Sequence, residues 1–161
     1  MRDETACLHA GYTPGNSEPR VVPIVQSTTY VYDSTEEVAS VFDEPPKSLI
    51  YSRFANPTVM AVEAKIAELE GGVGAMCTSS GQAATLLAIL NLCSAGENFV
   101  TAPEIYGGTV NLFAVTLKRF GIEARFAPAG ATDEEISELI DDRTRLVFGE
   151  TIANPALTVL D

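Results

Sequence analysis

Basic residues are scarce in this 161-residue chain. Ten Lys and Arg stand against 22 Asp and Glu, for a formal charge of -12 and an isoelectric point near 4.4. A nucleic-acid or anionic-membrane surface needs clustered Lys and Arg, so the expected partners include neither. Cysteine is sparse as well: Cys7, Cys77 and Cys93 form an odd, scattered set without a Cys-x-x-Cys pair, and His9 is the only histidine. That set supports neither a zinc site nor a disulfide framework, and it reads as reduced thiols in a cytoplasmic protein. No apolar run reaches membrane-spanning length, and Met1–Ala10 carries Arg2, Asp3 and Glu4 before any apolar stretch, unlike a secretory signal. Internal repeats and low-complexity segments are absent. What remains is a chain with 46% hydrophobic residues and mean hydropathy +0.14, enough to bury a sizeable core.

Residues 1 to about 50 lack a sustained period and contain Pro14, Pro19, Pro23, Pro45 and Pro46, which predicts an extended arm. One short helix is expected inside it. Ser34 with Glu37 makes a capping-box pattern, and Val38, Val41 and Phe42 give one apolar stripe up to the Pro45-Pro46 stop. An arm with aromatic residues and no core of its own is expected to pack on a neighbouring subunit or on the following domain. The domain assignment is therefore an arm over 1–55 and the first part of an α/β domain over 56–161.

From Asn56-Pro57 the pattern changes. Asn56 suits a helix cap, Pro57 the first helical position, and Val59, Val62, Ile66 and Leu69 form a stripe that ends at Gly71-Gly72. Strands are then expected near 73–78, 98–102, 122–127 and 145–149. Helices are expected near 81–93, 109–120 and 133–140, the last capped by Thr132 with Glu135. Repeated βα units predict an α/β fold with a mostly parallel sheet covered by helices on both faces.

The stretch Cys77 to Ala84 then becomes a strand-to-helix turn. Unpaired N–H groups and the positive end of a helix dipole make such a turn an anion site. The same residues also serve as a plain helix cap at Ser79 or Ser80. In an open α/β sheet a ligand sits beyond the carboxyl ends of the strands. Those ends are Thr78–Gly81, Ala102–Gly108 and Glu150–Pro155. A phosphate turn, an aromatic platform at Tyr106 and an acid–amide pair at Glu150 and Asn154 suit a flat, phosphorylated heteroaromatic cofactor. Rival chemistries lack their residues. Gly71-Gly72-Val73-Gly74 precedes the first strand instead of following it, no Lys-Ser or Lys-Thr pair stands at the turn, and Cys77 occupies the first glycine position of a nucleophile elbow around Ser79.

Seven segments carry a family likeness in order: Leu8–Gly11, Pro23–Thr28, Tyr51–Arg53 with Asn56–Thr58, Leu69–Gly72, Ser79–Ala84, Tyr106–Thr109 and Gly149–Pro155. Together they resemble the PLP-dependent Cys/Met-metabolism (trans-sulfuration) enzymes, whose fold is the type I PLP-dependent transferase fold, and the likeness covers nearly the whole chain. Gln82, where many relatives carry Met, and the Gly149–Asp161 ending look most like the O-acetylhomoserine sulfhydrylase branch.

The resemblance implies pyridoxal 5'-phosphate as cofactor and a role for each matching residue. Gly81 and Gln82 would offer backbone N–H groups to its phosphate. Tyr51 and Arg53 would reach the phosphate of the neighbouring subunit's cofactor, and Tyr106 would stack on the ring; Tyr106 and Tyr51 are the candidate catalytic residues. Asn154 would lie beside the ring's phenolic oxygen or the substrate carboxylate, with Glu150 supporting that wall. Taken singly, each residue has a structural role that needs no cofactor. The Schiff-base lysine, the acid paired with the pyridine nitrogen and the substrate-binding arginine fall further along in the family. Lys47, Lys65 and Lys118 stand at no strand end. The chain is thus expected to be the truncated N-terminal portion of the enzyme, inactive alone, with the remaining C-terminal part and identical subunits as partners in a homodimer or homotetramer. The reaction implied converts an amino-acid substrate, O-acetyl-L-homoserine, with sulfide to homocysteine and acetate, in methionine biosynthesis. A cystathionine γ-synthase, a methionine γ-lyase and a non-catalytic assembly module are the alternatives.

Overall fold

The computed structural model describes residues 2–43 and 49–160, so the expected Pro45-Pro46 stop and Lys47 lie outside the described residues. The chain forms two compact units, Met1–Cys77 and Thr78–Asp161.

In the first unit, α1 spans Asp3–His9, α2 Thr35–Asp43 and α3 Pro57–Glu70. The expected caps hold. Asn56 Oδ1 accepts from the N–H of Thr58 at 3.0 Å and of Val59 at 3.4 Å, Pro57 takes the first position of α3, and Gly71 closes it in the left-handed conformation. Ser34 Oγ accepts from Glu37 N–H at 3.1 Å at the start of α2.

Two expectations fail in this unit, and one apolar face stays uncovered. Helix α1 was hidden by the irregular reading of the arm; it packs beside α3, with Lys65 Nζ donating to Cys7 O at 3.0 Å. A Cβ on Gly11, just past α1, would stand 2.1 Å from Ala61 O, so the chain approaches α3 there as only glycine permits. The stripe of Val59, Val62, Ile66 and Leu69 is exposed, and α3 turns Ala61 inward; none of α2 is buried. Periodicity reveals that a face is apolar but not what covers it. The expected strand at 73–78 is also absent. Val73 and Met76 are exposed, and Cys77 N–H donates to Glu63 Oε1 at 2.7 Å. A strand requires a ladder partner, which an apolar run does not itself supply.

The second unit alternates as expected. Helix α4 spans Gly81–Leu92, β1 Asn98–Thr101, α5 Gly107–Asn111, β2 Glu123–Phe126, α6 Asp133–Glu138 and β3 Thr144–Phe148. The sheet has the order β2-β1-β3, with both pairings parallel. The expected α-helix over 109–120 starts earlier and passes into a π-helical segment at Leu112–Leu117, which buries Phe113 and Leu117 completely. The wider i→i+5 pattern is a tertiary choice, since no breaker residue in Leu112–Leu117 announces it. Thr132 and Glu135 form the full capping box of α6. Central β1 is buried throughout, and its Phe99 joins Ile89, Cys93, Ile105, Phe113, Leu117 and Ile122 in the core. Burial is the first cause pushing the Cys93 thiol up, with the nearby Glu97 charge adding to it. Cys93 is thus a packed, inert thiol.

At the amino ends of the strands a polar network clamps the sheet. Asp141 accepts from Asn98 Nδ2, Arg125 Nη2 and Arg143 N–H, each at 2.9 Å. Thr144 Oγ1 donates to Asn98 Oδ1 at 2.7 Å. The Asn98 bond, then the Arg125 and Arg143 bonds, hold the Asp141 carboxyl well below the usual carboxylate range. A depressed folded-state value contributes stability that is complete above the ordinary value of 3.8 and is lost as pH falls through the folded value. Acid titrations of the urea midpoint should therefore show a weaker decline below that pH in Asp141→Asn than in the unsubstituted protein. Parallel declines would remove Asp141 from the acid response. Glu97, paired with Arg145 at 2.6 Å, acts in the same direction.

Candidate functional site

At the opposite, carboxyl end of the sheet, the turn before α4 is both a cap and an open donor site. Ser80 Oγ accepts from Ala83 N–H at 3.1 Å, and Ser80 O accepts from Ala84 N–H at 3.0 Å. The N–H groups of Gly81 and Gln82 meet no acceptor among the described residues. A Cβ placed on Gly81 would find nothing within 4 Å. The 12-residue α4 thus presents two unpaired donors and its positive dipole end to open space.

Two hydrogen bonds gather the turn before α4 and the turns that follow β1 and β3. Gln82 Nε2 donates to Thr109 Oγ1 at 3.1 Å, bringing the α4 turn to the Tyr106–Thr109 turn. Tyr106 N–H donates to Glu150 Oε1 at 3.0 Å, joining that turn to the residues after β3. The Tyr106 ring lies against Gly108, where a Cβ would come within 2.4 Å of its Cε1 atom. Half of Tyr106 is nonetheless exposed. An unpaired helix N-terminus beside a half-open phenol ring fits an anionic group attached to a flat ring.

Asn154 is exposed in a turn closed by Ala153 N–H donating to Thr158 O at 2.8 Å. No hydrogen bond joins it to Glu150 among the described residues. Thr109 and Gly108 were given no role by sequence reasoning, although they belong to the Tyr106–Thr109 segment; a glycine pair followed by a hydroxyl residue, beside a predicted phosphate turn, was the available signal. Lys65 is engaged with Cys7 O, and Lys118 directly follows the π-helical segment.

Tyr51 and Arg53 belong to the first unit. Tyr51 forms an isolated antiparallel bridge with Thr29. The Arg53 guanidinium lies 5.1 Å from the Tyr51 ring centroid and 5.0 Å from that of Phe54. No carboxylate pairs with it among the described residues. Around them, Ser52 N–H donates to Thr28 O at 2.9 Å, Asn56 Nδ2 to Val25 O at 3.0 Å, and Thr58 Oγ1 to Pro23 O at 2.8 Å. The segments 23–28 and 51–58, distant in sequence, are one hydrogen-bonded structure that fixes the backbone around Arg53.

A cavity of about 490 Å³ opens on the Val100 and Val147 side of the sheet. Its lining includes Glu104 and Glu150 but no Lys or Arg, and so lacks the charge to hold a phosphate. Among the described residues no cluster of His, Cys, Asp and Glu is arranged to hold a metal, and no helix is long and apolar enough to cross a membrane.

The family model for the Cys/Met metabolism PLP-dependent enzymes matches residues 4–161. The chain is 48% identical to an O-acetyl-L-homoserine sulfhydrylase of Thermus thermophilus, covering 100% of this chain and 38% of that protein. Against the Corynebacterium glutamicum O-acetyl-L-homoserine sulfhydrylase the identity is 46%, covering 98% of this chain and 36% of the relative. A crystal structure from Campylobacter jejuni, described as an O-acetylhomoserine (thiol)-lyase with a pyridoxyl-lysine monophosphate, superposes with a TM-score of 0.90 at 35% identity, over 100% of this chain and 39% of that one. The chain therefore spans less than two fifths of the length of these relatives.

Proposed function

We propose, for a chain that belongs to the PLP-dependent enzymes of Cys/Met metabolism, that it forms the N-terminal portion of an enzyme converting O-acetyl-L-homoserine and sulfide to homocysteine and acetate. The observation that carries the reading is the open N-terminus of α4, tied through Gln82 and Thr109 to the Tyr106 turn. The sulfhydrylase names of its relatives support this branch over a cystathionine-forming enzyme, a γ-lyase or a non-catalytic module.

Pyridoxal phosphate, when bound, supplies the electron sink for the replacement at the substrate's γ-carbon. Each residue of this chain then has a limited task. Gly81 and Gln82 donate their backbone N–H groups to the phosphate. Tyr106 stacks on the ring and shields it from water, while Glu150 holds the Tyr106 amide. Asn154 borders the ring's oxygen or the substrate carboxylate. Tyr51 and Arg53 act on the phosphate held by a neighbouring subunit in a homodimer or homotetramer, Arg53 through a charge-assisted fork and Tyr51 through its hydroxyl. The lysine that carries the cofactor comes from the part of the enzyme outside this chain. The arm over 1–55 serves the subunit contact, the α/β part from 56 onward holds the cofactor, and the assembly works in the cytoplasm.

The test is turnover by the complete enzyme of O-acetylhomoserine, O-succinylhomoserine and cysteine, each offered with and without sulfide. Homocysteine should appear from the first substrate with sulfide; failure of that substrate alone would refute the branch. Replacing Arg53 by Lys should weaken cofactor retention, because Lys cannot reproduce the planar fork. Unchanged retention in gel-filtered enzyme would remove Arg53 from the site.

A further inference from the structure

We infer that the side chain of Gln82, and not its backbone N–H alone, is a positioning residue that sets the stance of the Tyr106 ring. The inference rests on the function proposed above, because it takes Tyr106 as the platform for the cofactor ring. Thr109 is only 4% exposed. A hydroxyl so buried needs a partner, and Gln82 Nε2 is the donor that meets it, at 3.1 Å. The contact reaches beyond that pair. A Cβ on Gly108 would stand 3.2 Å from Gln82 Nε2 and 2.4 Å from Tyr106 Cε1, so the amide and the phenol ring converge on Gly108, which offers no side chain to separate them. On the other side, Glu150 Oε1 accepts from Tyr106 N–H at 3.0 Å. The turn is thereby pinned from both ends: Glu150 fixes the amide that precedes the Gly107-Gly108 pair, and Gln82 fixes the hydroxyl that follows it. The residue that offers its N–H to the phosphate through the backbone thus also holds the aromatic platform through its side chain.

This makes a separable prediction, since a change of side chain at 82 leaves the backbone donor in place. In the complete enzyme, Gln82→Leu and Thr109→Val should each raise the pyridoxal phosphate dissociation constant by about three- to tenfold, the yield of one lost buried hydrogen bond. Each should also reduce the circular dichroism of the bound cofactor, which reports the ring's asymmetric environment. Gln82→Leu/Thr109→Val should match either single variant, because both changes remove the same bond. Thr109→Ser, which keeps the hydroxyl, should retain the unsubstituted signal; should Thr109→Val reduce the folded yield, Thr109→Ser and Gln82→Leu still carry the comparison. Unaltered affinity and dichroism in Gln82→Leu, or additive losses in the double variant, would overturn the inference. Tyr106→Leu separates it from the proposal beneath it. If Tyr106→Leu perturbs affinity and dichroism while Gln82→Leu does not, the Gln82 role alone fails. If Tyr106→Leu is also silent, the cofactor platform itself is refuted and both fall.

Discussion

Replacing Gly81 by Asp in the complete enzyme should abolish cofactor retention without destabilising the fold. A Cβ at this position meets nothing within 4 Å, so the substitution introduces no clash with the protein. A carboxylate in the first turn of α4 favours the helix dipole by about 0.3–1 kcal/mol, and losing a glycine from the unfolded chain adds a contribution of similar size. The phosphate would meet the opposite situation. Its space at Gly81 would be occupied and a second negative charge placed on its donors. Two like unit charges 4 Å apart repel by about 4 kcal/mol at an effective dielectric of 20, so affinity should fall by about a hundredfold or more. Titrating pyridoxal phosphate into the variant, alongside thermal unfolding of the cofactor-free form, reads both effects. Cofactor affinity within a few-fold of the unsubstituted enzyme would show that the phosphate binds elsewhere. A lowered midpoint without cofactor would mean that Gly81 serves the fold.

The largest expected loss of stability lies at Phe113. Its ring is completely buried and stands edge-on to Phe99 at 4.8 Å and to Phe148 at 5.0 Å. It therefore couples the π-helical segment to β1 and β3 at once. Phe113→Ala should cost about 3–5 kcal/mol, from lost burial and the cavity left behind. The two aromatic contacts place it toward the upper end of that range, being worth about 0.5–1.5 kcal/mol each beyond burial. Phe113→Leu, nearer in volume, should cost clearly less. Urea unfolding followed through the far-ultraviolet signal gives the comparison: a Phe113→Leu midpoint equal to that of the unsubstituted protein would show that the ring edges contribute nothing specific, and equal midpoints for the two variants would refute the cavity argument.

Elements whose signals are local were legible in the sequence. Asn56, Pro57 and Gly71 delimited α3; Thr132 and Glu135 started α6; Ser34 and Glu37 started α2. These residues act on backbone groups within a turn of themselves, so sequence distance and spatial distance coincide. The alternation of strands and helices after 78 was readable for a related reason, because burial forces a period on each segment. Segments whose state depends on a distant neighbour were not readable. The run at 73–78 has the composition of a buried strand, but it lacks a ladder among the described residues. The stripe of Val59, Val62, Ile66 and Leu69 has the right period and stays exposed. The π-helical segment at Leu112–Leu117 buries Phe113 and Leu117, and no local residue declares its wider turn.

The candidate site divides along the same line. Local chemistry alone makes residues 79–82 a capped, donor-rich start of a helix, because Ser80, Gly81 and the apolar run behind them suffice for that. It also ends the strands in polar, glycine-rich turns, with Tyr106 on one and Glu150 on another. That these turns meet is a consequence of the folded chain: Gln82 reaches Thr109 across 27 positions and Glu150 reaches the Tyr106 amide across 44. The physical reason is the parallel sheet. It carries the ends of β1 and β3 to one edge regardless of their separation along the chain, and hydrogen bonds a few ångströms long then select which side chains become partners.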